Sequence, residues 1–185
     1  LAHLPVLVTE QTAWDVNTDV LMFYLDFETS GLDIFADHIV EFGMLCESGE
    51  CFSTVCNPPV LTRGPHVHGI DNEELLVGPA FHEAFARMVA FVHGLVLTCV
   101  DSCSSSDDGE NAELPPTRFK ECEPEVLIVA HNGRKFDIPF LLSECLQSSA
   151  PWERDLAAWS YVDTLDLLKA LDAEFYEVAK SSCAS

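Results

Sequence analysis

Residues 23–32 read FYLDFETSGL, and this stretch places Asp26 and Glu28 one residue apart inside an otherwise apolar run. Val20 to Phe27 is rich in aliphatic and aromatic residues and Gly31 stops it, which is the pattern of a β-strand. Successive side chains on a strand point to opposite faces, so Asp26 and Glu28 share one face while Leu25 and Phe27 share the other. Two carboxylates side by side repel unless something positive lies between them, and burying them unpaired is costly. Two readings follow: a divalent cation held by the pair, or a fraying strand end with both acids in water.

Outward from this strand, His38 to Cys46 (HIVEFGMLC) and Glu50 to Cys56 read as a second and third strand, joined by a turn at Ser48-Gly49-Glu50. Asn57-Pro58-Pro59 then breaks the sheet. Between Pro79 and Val92, the residues Phe81, Phe85, Met88 and Val92 recur at helical spacing and make one buried face. Glu125 to Ala130 (EVLIVA) is a continuous apolar run of the kind expected at the centre of a sheet. Helices are expected at Ile138–Leu146 and Thr164–Leu171. Residues 1–19 are expected to be loosely ordered and 20–185 to form the domain. Within it, the polar, acidic, Pro-containing stretch 101–124 forms a flexible insertion. The order of elements describes an α/β domain with a mixed central sheet flanked by helices.

The chain has 185 residues, enough for one domain with a substantial core, and 48% hydrophobic content including 12 Phe supports packing. Its net charge of −22 comes from 31 acids against 9 Lys and Arg. Such a field repels nucleic acid at long range, so an anionic substrate would require metal ions and a local basic patch. Arg134-Lys135 is the only adjacent basic pair. The 8 cysteines form no C-x-x-C pair, which argues against a zinc ribbon or a thioredoxin-like site. The even spacing of Cys46, Cys51 and Cys56 leaves a zinc reading open beside that of reduced thiols. Reduced thiols in turn imply an intracellular setting, nuclear or cytoplasmic. The longest apolar run, Met88 to Val100, is expected to be too short to cross a bilayer, so no membrane role is expected.

A second acidic motif lies in IVAHNGRKFDIPFLL, residues 128–142. A buried strand delivers the chain into His131-Asn132-Gly133, and Asp137 follows at the head of an amphipathic helix. An acid there also serves simply to cap free N–H groups. Taken with DFETSGL at 26–32, the segment HNGRKFD at 131–137 resembles the DEDD superfamily of 3′–5′ exonucleases. The likeness is closest to the branch of bacterial proofreading subunits and three-prime repair exonucleases. Three further pieces agree in order: residues 31–46 with Asp37 and Glu41, VHGID at 67–71, and YVDTLDLLKAL at 161–171. The resemblance runs from about Leu21 to Leu171.

The resemblance implies a ribonuclease H-like fold and hydrolysis of nucleotides from a 3′ end, single-stranded rather than duplex, with two Mg²⁺ or Mn²⁺ ions. Asp26 would bridge both ions, Glu28 would bind one, and Asp137 would support the other. It also implies contacts to the terminal nucleotide from Thr29, Ser30, Gly31, Leu32 and His68, with Asn132 either ordering the second motif or touching substrate. Asp163 is expected to cap the helix that follows it. The sugar is not distinguished. Family members carry a third motif, an Asp preceded by a His or Tyr. The last histidine here is His131, Tyr161 is followed four residues on by Leu165, and Tyr176 by Lys180. Either the domain is C-terminally incomplete and the motif lies further on, or the chain is a non-catalytic module that binds nucleic acid or protein.

Overall fold

The structure, a computed structural model, describes residues 20–60, 68–104 and 124–172. The expected N-terminal segment 1–19, residues 105–123 of the acidic insertion, and residues 173–185 lie outside the described residues.

A five-stranded mixed sheet forms the centre, in the order β3-β2-β1-β4-β5. Its strands are β1 (Val20–Thr29), β2 (Ile39–Cys46), β3 (Cys51–Val55), β4 (Glu125–Ala130) and β5 (Ser160–Asp163). β1 pairs antiparallel with β2 and β2 antiparallel with β3, whereas β1–β4 and β4–β5 are parallel. The helices are α1 (Asn72–Val77), α2 (Phe81–Ser104), α3 (Asp137–Ser148) and α4 (Glu153–Leu156), followed by helical residues 164–172, here α5. This is the α/β architecture of a ribonuclease H-like fold, with a mixed sheet flanked by helices.

Alternation in β1 follows the expected pattern: Leu21, Phe23, Leu25 and Phe27 are buried, while Tyr24 and Asp26 are exposed. The buried face packs on α2, whose Phe81, Ala84, Phe85, Met88, Val92 and Val96 recur along one side. Within the sheet Phe27 packs edge-on against Phe42 at 5.1 Å, and Phe42 against Phe81 at 5.7 Å and Phe23 against Phe91 at 6.1 Å between ring centroids tie the sheet to the helix. A smaller cluster of Val40, Ile70 and Leu75 holds α1 in place.

Several boundaries differ from the sequence expectation for identifiable reasons. β1 does not end at Phe27, because pairing with β2 continues through Glu28↔Glu41 to Thr29↔Ile39 across a bulge. The acid pair therefore sits inside a paired strand, not on a fraying end. β4 is internal but not central, flanked by β1 and by the four-residue strand β5, which is too short to show a period in sequence. α2 runs through 101–104, into what reads as the start of the acidic loop. Over Phe81–Val100 it has 20 residues with a mean hydropathy of 1.5, long and apolar enough to cross a membrane, which corrects the estimate from Met88–Val100 alone. Its length serves the core: the apolar side lies on the sheet, and His82, Glu83 and Arg87 face outward. The cysteines expected at even spacing do not converge. Cys46 adjoins Glu50 at one end of the β2–β3 hairpin, and Cys56 bonds Val40 at the other.

Phe42 is fully buried between Phe27 and Phe81. Phe42→Ala is expected to lower the unfolding free energy by about 3–5 kcal/mol in urea titration. A loss below about 1 kcal/mol would contradict this packing.

Candidate active site

Where β1 and β4 part, Asp26 lies near enough to Glu28 and to Asp137 for its charge to act on both. The parallel pairing of β1 with β4 runs from Val20↔Glu125 to Tyr24↔Val129 and then stops, while pairing of β1 with β2 continues. Beyond Tyr24 the backbone of β1 has lost its partner on one side. There the Phe27 N–H donates to Asp137 Oδ1 at 3.2 Å, across 110 residues of sequence. Asp137 is thereby held beside the strand segment that carries Asp26 and Glu28. It opens α3, and the residue is 3% exposed.

The electrostatics follow from this placement. Burial is the main cause that pushes the Asp137 carboxyl up to about 6, and the negative charge of Asp26 adds to it, against N–H groups that favour the charged form. Glu28 is also raised above the usual carboxylate range, by burial first and then by Asp26, with His68 acting in the opposite direction and Glu41 adding to the rise. Glu41 stands directly opposite Glu28 in the β1–β2 register, a like-charged cross-strand pair, and takes a hydrogen bond from Ser53 Oγ at 2.9 Å. The carboxylates of the site repel one another, and His68 opposes that effect at Glu28.

The loop after β1 is held by its own polar groups. Thr29 Oγ1 donates to the Gly31 carbonyl at 2.7 Å, and Ser30 Oγ accepts from His38 N–H at 2.9 Å and donates to Asp37 Oδ1 at 3.3 Å. Asp37 Oδ2 also takes the Asp33 N–H at 2.9 Å. A Cβ at Gly31 would push the Asp37 carboxylate off its hydrogen bonds, so the close approach favours glycine. Thr29, Ser30 and Gly31 thus shape the loop, while Leu32 projects from it at 82% exposure. His68 Nδ1 accepts the Ile70 N–H at 3.2 Å, which puts the proton of the neutral ring on Nε2. Among the described residues, that buried Nε2 has no hydrogen-bond partner. It is a donor with an unfilled role.

Asn132 occupies a left-handed conformation with φ of 57°, which asparagine tolerates better than most residues, and its N–H donates to Asp163 Oδ1 at 2.9 Å. His131 is exposed rather than packed, with Nδ1 3.0 Å from Thr164 Oγ1. Arg134 lies 3.8 Å from Asp166, both solvent-exposed. Asp163 caps α5 through Leu165 N–H at 2.9 Å, as its position suggests. Sequence reasoning missed the buried pair of His38 Nδ1 and Glu144 Oε1 at 2.7 Å, which ties β2 to α3. Nothing in their separate contexts signals it, since they are 106 residues apart. A cleft of about 620 Å³ is lined by these two with Cys56, Asn57, Phe81 and Gln147, and it contains none of the three carboxylates.

The donor set suits a hard divalent cation in chemistry: carboxylate oxygens only. Among the described residues, no three His, Cys, Asp or Glu side chains converge closely enough to form a ligand group by themselves. Magnesium commonly takes one or two carboxylates and completes its shell with water and substrate phosphate, so these residues fit such an ion without enclosing it.

No protein-family model matches the chain. No curated protein matches it in sequence. Solved structures do share its fold. E. coli exonuclease I in complex with a dA16 oligonucleotide is 18% identical, with a TM-score of 0.56 over 84% of this chain and 30% of that one. A complex of exonuclease I with the SSB C-terminal peptide gives the same identity, TM-score and coverage. The zinc-bound form of an E. coli exonuclease I–ssDNA complex gives a TM-score of 0.55, at 18% identity over 84% and 30%. This chain therefore spans less than a third of the length of those enzymes.

With its pKa raised to about 6, Asp137 keeps its proton in the folded state where an unfolded chain, at 3.8, has released it. Stability contributed by this group is full below about pH 4 and lost as pH rises through about 6. In metal-free protein, Asp137→Asn, which keeps an acceptor for Phe27, is expected to be about 1–3 kcal/mol more stable than wild type at pH 7 and equal to it at pH 4. Equal stability at both pH values in urea titration would refute the buried carboxylate with a raised pKa.

Proposed function

We propose that this chain is the nuclease domain of a metal-dependent 3′–5′ exonuclease of the DEDD type, acting inside the cell on single-stranded nucleic acid ends. The observation that carries the reading is the Phe27–Asp137 hydrogen bond, which holds Asp137 beside the β1 segment of Asp26 and Glu28, where the charge of Asp26 acts on both other acids. The fold shared with exonuclease I structures, some of them bound to oligonucleotides, supports it.

On this reading Asp26 would contact two Mg²⁺ or Mn²⁺ ions, Glu28 one of them and Asp137 the other. Ions so placed supply an activated water and stabilise the departing 3′ oxygen. The other residues orient substrate. Leu32, already exposed, offers an apolar surface to the terminal base, and the Nε2–H of His68 supplies a donor for a substrate oxygen. Thr29, Ser30 and Gly31 hold the loop in register with the acids, and Asn132 shapes the turn that brings in Asp137. Few positive side chains are at hand, so attraction of the phosphate backbone falls to the cations themselves.

A second reading, a non-catalytic module that binds nucleic acid or protein, is favoured by the lack of a three-residue ligand group among the described residues. The two separate in one assay. With end-labelled single-stranded DNA and RNA and Mn²⁺ or Mg²⁺, the wild-type chain is expected to give products shortened from the 3′ end. Asp26→Asn is expected to lower the rate about 100-fold or more, the scale on which one preorganised electrostatic group acts. Oligonucleotide binding without any shortening by the wild type would favour the second reading.

A further inference from the structure

Asp163 does more than cap a helix. A capping residue needs one oxygen for one free N–H at the helix start, and Asp163 Oδ1 supplies it to Leu165 at 2.9 Å. The same oxygen also accepts the Asn132 N–H at 2.9 Å, and Oδ2 accepts the Arg134 N–H at 3.1 Å. Both of these donors belong to the turn between β4 and α3, 31 and 29 residues earlier in the chain. β5 carries none of the three carboxylates, yet its last residue grips the segment that delivers one of them. The grip closes on a strained point, since Asn132 has a positive φ and its carbonyl accepts the Lys135 and Phe136 N–H groups that start the helix. Within the same turn, a Cβ at Gly133 would collide with that of Ala130, so this path of the chain calls for glycine there.

We propose that Asp163 is a positioning residue for Asp137: its two oxygens clamp the Asn132 and Arg134 amides and so aim the first turn of α3 at the unpaired edge of β1. The inference rests on the reading of Asp137 as part of the metal-binding set, and it names what sets that residue's place. Asp163 itself touches neither substrate nor ion. Its oxygens are held by backbone amides, and its charge also acts to raise the pKa of Asp137. Burial acts to raise its pKa, but the amides of Arg134, Leu165, Asn132 and Asp166 together hold the carboxyl below the usual carboxylate range, as a clamp that works ionised requires.

The Phe27 amide reports the outcome, because its hydrogen bond exists only when Asp137 is in place. Asp163→Ser keeps a good cap for α5 but lacks the second oxygen. Asp163→Asn keeps Oδ1 and loses only the acceptor for Arg134. Hydrogen exchange of the full-length chain, read by NMR in metal-free buffer, is expected to show Phe27 exchanging about tenfold faster or more in the serine variant. The asparagine variant is expected to fall between it and wild type, while Phe23, Ile128 and the α5 amides remain as protected as before. Mn²⁺ binding followed by electron paramagnetic resonance on the same samples is expected to weaken about tenfold in the serine variant. An unchanged Phe27 overturns the proposal, and so does a uniform acceleration that includes Phe23 and Ile128, since that is a loss of global stability. If wild type binds no Mn²⁺ while Phe27 still depends on Asp163, the metal reading falls and the positioning role stands.

Discussion

The hydrogen bond from Phe27 to Asp137 closes the one place where the sheet comes apart, and the candidate site exists because of it. β4 leaves β1 after Tyr24, and without a substitute partner the next inward-facing amide of β1 would be buried without an acceptor, at a cost of about 1–3 kcal/mol. A carboxylate fills that vacancy instead of a strand. The choice is expensive in another way, because a buried carboxylate beside Asp26 resists ionisation. An uncharged side chain could accept the same bond. That a strongly acidic chain places an acid here, beside Asp26, is a physical argument for a cation there.

Much of the fold was legible because its signals are local. The alternation of Leu21, Phe23, Leu25 and Phe27, the helical recurrence of Phe81, Phe85, Met88 and Val92, and the unbroken EVLIVA run each declare their element within a few residues. The acid pair was legible too, since two acids on one face of an apolar strand demand an explanation. What escaped was set by tertiary contact. β5 is a strand only because β4 lies beside it, and β1 extends past Phe27 only because β2 keeps pairing. The His38–Glu144 pair and the double grip of Asp163 join residues far apart in the chain, and no periodicity records them.

The net charge of −22 shapes how such a domain would meet an anion. Most nucleic-acid-binding surfaces begin with a basic field that gathers substrate over a distance. On the proposed reading, attraction would be confined to the immediate neighbourhood of bound cations, within about a Debye length of 8–10 Å. Contacts that do not depend on charge, such as an exposed Leu32 against a base, then carry a larger share of recognition.

α3 is pinned to the strands at two points. Asp137 fixes its first residue to β1, and Glu144, two turns later, fixes it to His38 at the head of β2. His38 in turn exchanges backbone and side-chain hydrogen bonds with Ser30, on the loop that leaves β1. The two pins are roughly 10 Å apart along the helix axis. Strand, loop, histidine and helix therefore form a closed linkage, as in a truss, where no single bar rotates without straining the rest. A ligand pressing on the loop loads the helix at its far pin as well as its near one, and the assembly yields as one piece or not at all.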